Sequence, residues 1–547
     1  MCGIWFCASR QGSCQPTNDQ LTALRARGPD SCQRHEIDVC GLRLTFLSTV
    51  LALRGEVVQA QPVVDQSTGC VLCWNGEAWK IGNKEVQSND TAQIFDLLVD
   101  AARAGNDSIV NVLTSITGPF AFVFYDAVSS ILFYGRDRFG RRSLVWQEQN
   151  NGALTISSID ITNNKPAQEV STNGLYSIDL KEDSLTPILS EWPTASPPIN
   201  RECPPSLISP PCTSAVLALQ HCLLEALRLR LMKIPTHNEH LFKPNSAKVA
   251  VLFSGGLDCT LLARLAHELL PLEEPVDLLN VAFENPRSIA SQKDALANPY
   301  ELCPDRMTGR SSFSELAHTC PSRLWRFVAI DIPYSETVSH RPAIIQLMSP
   351  HNTEMDLSIA MALYFASRGQ GSASSNSAAP QPYTTTARVL LSGLGADELF
   401  GGYSRHAAAF TRGGYQELVA ELEMDFTRIG HRNLGRDDRV TSHWGREVRY
   451  PYLDEDFARF TLNLPVWQKC GFRPDKNIPK NHEQQLWIEK EDDLEPAKMA
   501  LRMMMWRLKL RTVASERKRA IQFGSRTAKM DVKKGGRTKG TDVLLPG

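Results

Sequence analysis

Lys248-Val249-Ala250-Val251-Leu252-Phe253-Ser254-Gly255-Gly256-Leu257-Asp258-Cys259 is the stretch that decides the fold of the larger part of the chain. Its first six residues form a near-continuous apolar run, the pattern of a parallel strand buried on both faces. Two glycines come next, and a helix is expected over residues 259–270. A glycine turn at the end of a strand, opening a helix, presents backbone N–H groups and the positive end of the helix dipole to a phosphate. No Lys stands where a G-x-x-x-x-G-K-[S/T] loop needs one, and a plain tight turn remains the alternative. Asp258 inside the turn suits Mg²⁺, which prefers one or two carboxylates plus substrate oxygens.

Working outward, residues 214–232 place Val216, Leu219, Leu223, Leu227 and Leu231 at helical spacing. Further strands are expected at 278–283, 325–330 and 388–391, alternating with helices. That alternation is the doubly wound α/β pattern. Residues 369–382 are rich in Gly, Ser and Ala and read as a disordered surface loop. Residues 191–213 are rich in Pro and Ser and read as a linker. Before it, short strands are expected at 71–74, 120–125, 131–134 and 154–157, with one helix over 91–103 carrying Ile94, Leu97, Leu98 and Ala101. The expected domains are therefore 1–190 and 214–530, with a solvated basic tail over 531–547.

At 547 residues, at least two domains can each bury a core. A net charge of −1 gives no field for nucleic acid or an anionic membrane. No apolar run is long enough to span a bilayer and no signal peptide is evident, so a cytoplasmic protein is expected. The 14 cysteines are mostly isolated and suit reduced thiols there. Cys70-x-x-Cys73 has no second pair at metal-binding spacing and reads as structural. Met503-Met504-Met505-Trp506 reads as core.

The N-terminus carries a second chemistry. Met is removed efficiently before a small residue, leaving Cys2 with a free α-amine. The thiolate is the nucleophile, and an α-amino group of pKa roughly 7.7–8.0 can serve it as a base on the same residue. Cys2 alone also fits an ordinary small buried residue. Downstream of it, in order, stand Arg27-Gly28-Pro29-Asp30, Trp74-Asn75-Gly76-Glu77, Ser88-Asn89-Asp90-Thr91, Gly118-Pro119-Phe120 and Gly135-Arg136-Asp137-Arg138-Phe139-Gly140.

This ordered set resembles the glutaminase domain of the N-terminal-nucleophile amidotransferases, in their asparagine synthetase branch. The resemblance implies an α+β, αββα sandwich, and strands stacked around a central helix layer are the expectation that fits it. It implies Cys2 as nucleophile, with Asn75 and Gly76 stabilising the oxyanion. Glu77 and Asp90 are expected at the glutamine, Asp90 on its α-ammonium. The family's Arg-Leu-Ser-Ile run is here Val50-Leu51-Ala52-Leu53-Arg54, so Arg54 is the candidate for the α-carboxylate. Arg27 fits either a turn or a substrate contact.

The glycine turn in turn resembles the S-G-G-x-D-S loop of ATP-pyrophosphatases, with Cys259 in place of Ser. Leu391-Ser392-Gly393-Leu394-Gly395-Ala396-Asp397-Glu398-Leu399-Phe400-Gly401-Gly402-Tyr403 and Trp444–Asp454 (WGREVRYPYLD) complete the resemblance to asparagine synthetases. It implies ATP contacts at Leu252, Ser254, Gly255, Gly256, Asp258, Cys259, Ser392 and Gly393, and Mg²⁺ on Asp258 and Asp397. Lys518, or else Arg519, matches a family Lys that neutralises phosphate. Leu394 stands where the family carries Glu. The implied reaction releases ammonia from glutamine and joins it to an ATP-activated carboxylate, expected to be aspartate, in a protein that can be a homodimer. The other reading is a diverged nucleotide-binding or scaffold protein.

Overall fold

The computed structural model describes residues 2–161, 167–193, 197–203, 211–232, 234–235, 245–290, 298–375, 378–473, 494–528, 530 and 539–544. Parts of the expected linker (194–196, 204–210) and most of the expected tail (531–538, 545–547) lie outside the described residues.

The N-terminal part is built on two six-stranded sheets. In the first, β1 (Gly3–Ser9) lies between Leu154–Ser157 and Leu42–Val50, antiparallel to both. Ile4, Phe6 and Ala8 of β1 face the second sheet, while Trp5 and Cys7 face α1 (Asn18–Arg27). The strand is buried on both sides and shows no alternation, which is why periodicity alone misses it. In the second sheet, β2 (Val71–Gly76) sends Val71 and Cys73 inward and Leu72 and Trp74 outward onto α2 (Asp90–Ala104). The layers thus run helix, sheet, sheet, helix. The expected central helix layer is reversed: the sheets meet in the middle because each has two apolar faces, and the helices cover the outer ones.

The second part holds a seven-stranded sheet. The loop-and-helix unit read from sequence is β3 (Val249–Leu252) followed by α3 (Leu257–Leu269). β3 pairs in parallel with β4 (Val276–Phe283), whose far side carries α4 (Pro304–Thr319) and then the parallel β5 (Trp325–Ile332).

Helix α5 (Glu354–Arg368) leads into the segment expected to be disordered, and here the structure differs. β6 (Gln370–Ser375) and β7 (Ala378–Thr384) form a hairpin that extends the sheet antiparallel to β5. Buried Asp277 on β4 explains it. Its carboxylate accepts hydrogen bonds from Tyr383 Oη (2.8 Å) and Thr385 Oγ1 (2.6 Å) and pairs with Arg326 (3.2 Å). A Cβ on Gly371 would lie 2.2 Å from the Ala329 carbonyl oxygen, so a small residue is required there. The biased composition serves close packing, not disorder.

On the other side of β3, β8 (Val389–Leu391) runs in parallel, followed by α6 (Ala396–Phe400). Beyond it lies an unanticipated parallel strand, β9 (Glu447–Arg449), whose charged sequence gives no strand signal. α7 (Met499–Arg507) buries Met504 and Met505 in the same core, and α8 (Ile521–Gly524) follows. All 14 cysteines are unpaired thiols, with Cys70 and Cys73 fully buried. No helix among the described residues is long and apolar enough to cross a membrane.

Candidate functional site

Cys2 stands at the head of β1 and is 8 % exposed. Its backbone nitrogen, the α-amine once Met1 is gone, donates to Asn75 Oδ1 at 2.9 Å. Asn75 Nδ2 is buried and has no hydrogen-bond partner among the described residues. A buried donor left unpaired costs free energy, and this nitrogen can donate to an acceptor placed beside Cys2. At Gly76 a Cβ would lie 2.4 Å from the Pro119 oxygen, so only glycine permits the strands' approach. Burial raises the thiol pKa, with the Leu51 backbone N–H opposing. The thiol therefore requires a base.

Gln61, unmarked by any motif, points Nε2 at Cys2 Sγ (3.9 Å) and accepts from the Trp74 N–H through Oε1 (2.6 Å). Val50, at the position of the family's Arg, packs against Cys2 with Ala52. Arg54 reaches the same place from its shifted position: Nη1 lies 3.6 Å from Glu77 Oε2, and Nη2 donates to the Val86 carbonyl. Asp90 opens α2 and accepts from Ala78 N (2.8 Å) and Thr91 N (2.9 Å). Burial raises its pKa, and Arg54 is the first charge to counter that. Cys2, Asn75, Glu77, Asp90 and Arg54 thus converge.

A seam of buried charges joins this site to the second part. Arg27 donates to the Cys2 carbonyl (3.3 Å), Ser442 Oγ (2.6 Å) and Asp438 (2.8 Å), so it ties β1 across the seam and is more than a turn residue. Arg449 of β9 reaches Glu77 (3.2 Å) and Glu447 (2.7 Å), and Arg142 reaches Glu447 (3.1 Å). Burial, then the Glu447 charge, raises the pKa of Glu77. Glu447 is lowered in spite of burial, by Arg142 and Arg449. The guanidinium groups of Arg54, Arg230 and Arg449 surround the Trp79 ring at 5.3, 5.3 and 5.0 Å.

Across the seam opens a cavity of ≈450 Å³ lined by Leu252, Ser254, Gly256, Asp258, Cys259, Ser392, Gly393, Asp397 and Lys518. Gly255 lies behind it at φ +81°, where a Cβ would strike the backbone of Thr308 and Gly309 at 2.5–2.6 Å. Cys259 Sγ donates to the Gly256 carbonyl (3.3 Å), and burial raises its pKa. The backbone N–H of Ser392 donates to the carbonyl of Arg449 (3.0 Å), so Arg449 touches both sites.

Lys498, missed from sequence, lies behind the cavity wall and ties together two of the carboxylates that line it. It is 2 % exposed, adopts φ +58°, and sets its ammonium 2.5 Å from Asp258 and 2.7 Å from Asp397. Lys518 reaches the other oxygen of Asp397 (2.7 Å), whereas Arg519 turns to Thr308 and Glu516. Against the burial that would raise it, the two lysines hold Asp397 at about 2. Burial, followed by the Asp397 charge, raises the pKa of Asp258 although Lys498 opposes. A lone Lys outside every motif gives no sequence signal. Leu394 is partly buried at the cavity wall, where the family carboxylate would be.

Two family models match the chain: a glutamine amidotransferase domain over residues 1–184, and asparagine synthase over residues 379–420 and 411–491. Asparagine synthetase domain-containing protein 1 from Bos taurus is 34% identical, covering 97% of this chain and 96% of the relative. Its Homo sapiens counterpart is 32% identical with the same two coverages. Asparagine synthetase [glutamine-hydrolyzing] from Gallus gallus is 24% identical, covering 93% of this chain and 83% of that protein.

Proposed function

The chain belongs to the family of asparagine synthetase domain-containing protein 1, and from that premise we propose that it is a glutamine-dependent, ATP-consuming carbon–nitrogen ligase. Cys2, with its α-amine as base, attacks the glutamine carboxamide. Asn75 Nδ2 and the Gly76 N–H receive the oxyanion, while Asp90 and Glu77 face the α-ammonium and Arg54 the α-carboxylate. Collapse of the tetrahedral species returns the proton to the leaving nitrogen, releasing ammonia, and water then frees glutamate from the thioester. Ammonia crosses the buried seam, protected from bulk water.

In the cavity an acceptor carboxylate, aspartate by the family's chemistry, attacks the α-phosphorus of ATP and displaces pyrophosphate. Ammonia then displaces AMP to give asparagine. Ser254, Gly255, Gly256, Ser392 and Gly393 bracket the nucleotide at the wall that also carries Leu252 and Cys259, and Lys498 and Lys518 meet its phosphates. Asp258 and Asp397 fit Mg²⁺: Asp258 Oδ1 makes no hydrogen bond among the described residues, and two carboxylates plus phosphate oxygens are the donor set the ion takes. When bound it neutralises triphosphate charge. We place this chemistry in the cytoplasm, where free thiols stay reduced.

The observation that carries the reading is Arg449, whose side chain holds the glutamine-side Glu77 and whose carbonyl holds the nucleotide-side Ser392. Purified protein given glutamine, ATP, Mg²⁺ and aspartate should release glutamate, AMP and pyrophosphate. No pyrophosphate with any amino-acid acceptor overturns it. Leu394 favours one second reading, a nucleotide-binding protein without turnover, which that same assay separates by binding without products.

A further inference from the structure

The cavity wall holds a carboxyl group that the proposed reaction leaves unused. Asp305 is the second residue of α4, lines the cavity and is 7 % exposed. Among the described residues its side chain makes no hydrogen bond. Burial pushes its pKa up to about 7, and Arg519, already engaged with Thr308 and Glu516, is the cation that opposes. An unpaired buried carboxyl is costly in the free protein. It is nonetheless held firmly. Its carbonyl accepts from Asn280 Nδ2 (2.9 Å), and its Oδ1 packs so closely on Gly524 that a Cβ there would lie 1.9 Å away.

Its place in the cavity narrows the range of groups it can meet. Thr308 and Gly309, about one turn further along α4, press on Gly255 of the glycine turn. Asp305 therefore sits beside the phosphate loop but displaced from it, under α8. That short helix packs on both α4 and α5, and α5 supplies the apolar Met355, Ile359 and Leu363 to the same cavity. A carboxyl group repels phosphate, and it is separate from the Asp258–Lys498–Asp397 cluster. The group that suits it is an N–H or O–H donor on an uncharged, flat ligand part lying against apolar side chains.

We propose that Asp305 is a nucleoside-recognition residue that accepts a hydrogen bond from the amino group of the adenine or a ribose hydroxyl of the bound nucleotide. This rests on the nucleotide reading of the cavity. The unsatisfied carboxyl of the free protein gains its partner only when the nucleoside is seated, so discrimination among nucleotides comes from leaving that carboxyl unpaired with the wrong one.

The test is calorimetric binding of ATP, inosine triphosphate, 2′-deoxy-ATP, 3′-deoxy-ATP and pyrophosphate, each with Mg²⁺, to the full-length protein and to Asp305→Ala and Asp305→Asn. Asp305→Ala should weaken ATP about tenfold to a hundredfold, leave pyrophosphate unchanged, and leave the ligand-free melting temperature equal or higher. Asp305→Asn keeps an acceptor oxygen and should recover part of the loss. Loss of the preference for ATP over inosine triphosphate identifies the base amine as donor. Loss of the preference over either deoxynucleotide identifies a ribose hydroxyl. Unchanged ATP affinity in Asp305→Ala, or a lowered melting temperature with intact discrimination, overturns the inference and leaves the nucleotide reading standing. Failure of the unaltered protein to bind any of the five overturns both.

Discussion

At the thiol end of the molecule the Asn75 amide nitrogen is buried with no partner among the described residues, whereas at the proposed nucleotide end Asp258 and Asp397 share the ammonium of Lys498. The two arrangements suit two kinds of ligand. A carboxamide is neutral until it is attacked, so its site needs a donor that waits for charge to develop. A triphosphate is charged from the start, so its site needs buried cations, and the carboxylates beside them need neutralising while it is empty. Between the two, Arg449 bridges Glu77 (3.2 Å) and Glu447 (2.7 Å).

Removing the waiting nucleophile should have the largest effect. Cys2→Ala is expected to lower glutamine-dependent product formation by several orders of magnitude while ammonia-dependent formation persists, as measured with both nitrogen sources on one preparation. Glutamine use at the unaltered rate would show that the orphaned Asn75 donor serves another purpose.

Unpairing the nucleotide end comes next. Lys498→Met leaves the half-buried carboxylates of Asp258 and Asp397 facing each other, with Lys518 still paired to Asp397. A loss of about 3–5 kcal/mol at neutral pH is expected in denaturant unfolding, smaller in acid, where one carboxylate takes a proton. Millimolar Mg²⁺ should restore part of it. Unaltered stability would mean that Lys498 is not what neutralises the pair.

The seam gives the smallest effect and sharpens the boundary between the ends. Burial and Glu447 raise the Glu77 carboxyl from 4.5 to about 8, so the folded protein keeps a proton that the unfolded chain has lost. Its contribution to stability therefore falls as pH climbs from about 4.5 to about 8. Glu77→Gln should flatten that fall in melting temperature against pH. An unchanged slope would show that Glu77 does not carry that proton.

Legibility differs between the same regions. Strand β3, the glycine turn and α3 are close in sequence, and each reports itself through a local rule. β1 does not, because a short apolar run with no turn signal ahead of it cannot be told from a buried helix segment by periodicity alone. β9 does not either, since its two charged residues can be buried only with help from partners such as Glu77 and Arg142, far away in sequence, besides their own pairing. The hairpin at 370–384 reads as disorder because small residues look alike whether they are disordered or closely packed.

The ordered motifs and the family resemblance they carry are enough to mark Cys2, the pair Asn75-Gly76 at the end of β2 and the loop at Ser254–Asp258 as candidates, because each motif is a short run of neighbours along the chain. Contacts across the fold are needed to bring Arg54 to Glu77, to set Lys498 between Asp258 and Asp397, and to let Arg449 span both sites. A long charged side chain reaches several ångströms from its backbone, and its partner is set by which buried carboxylate would otherwise stand alone.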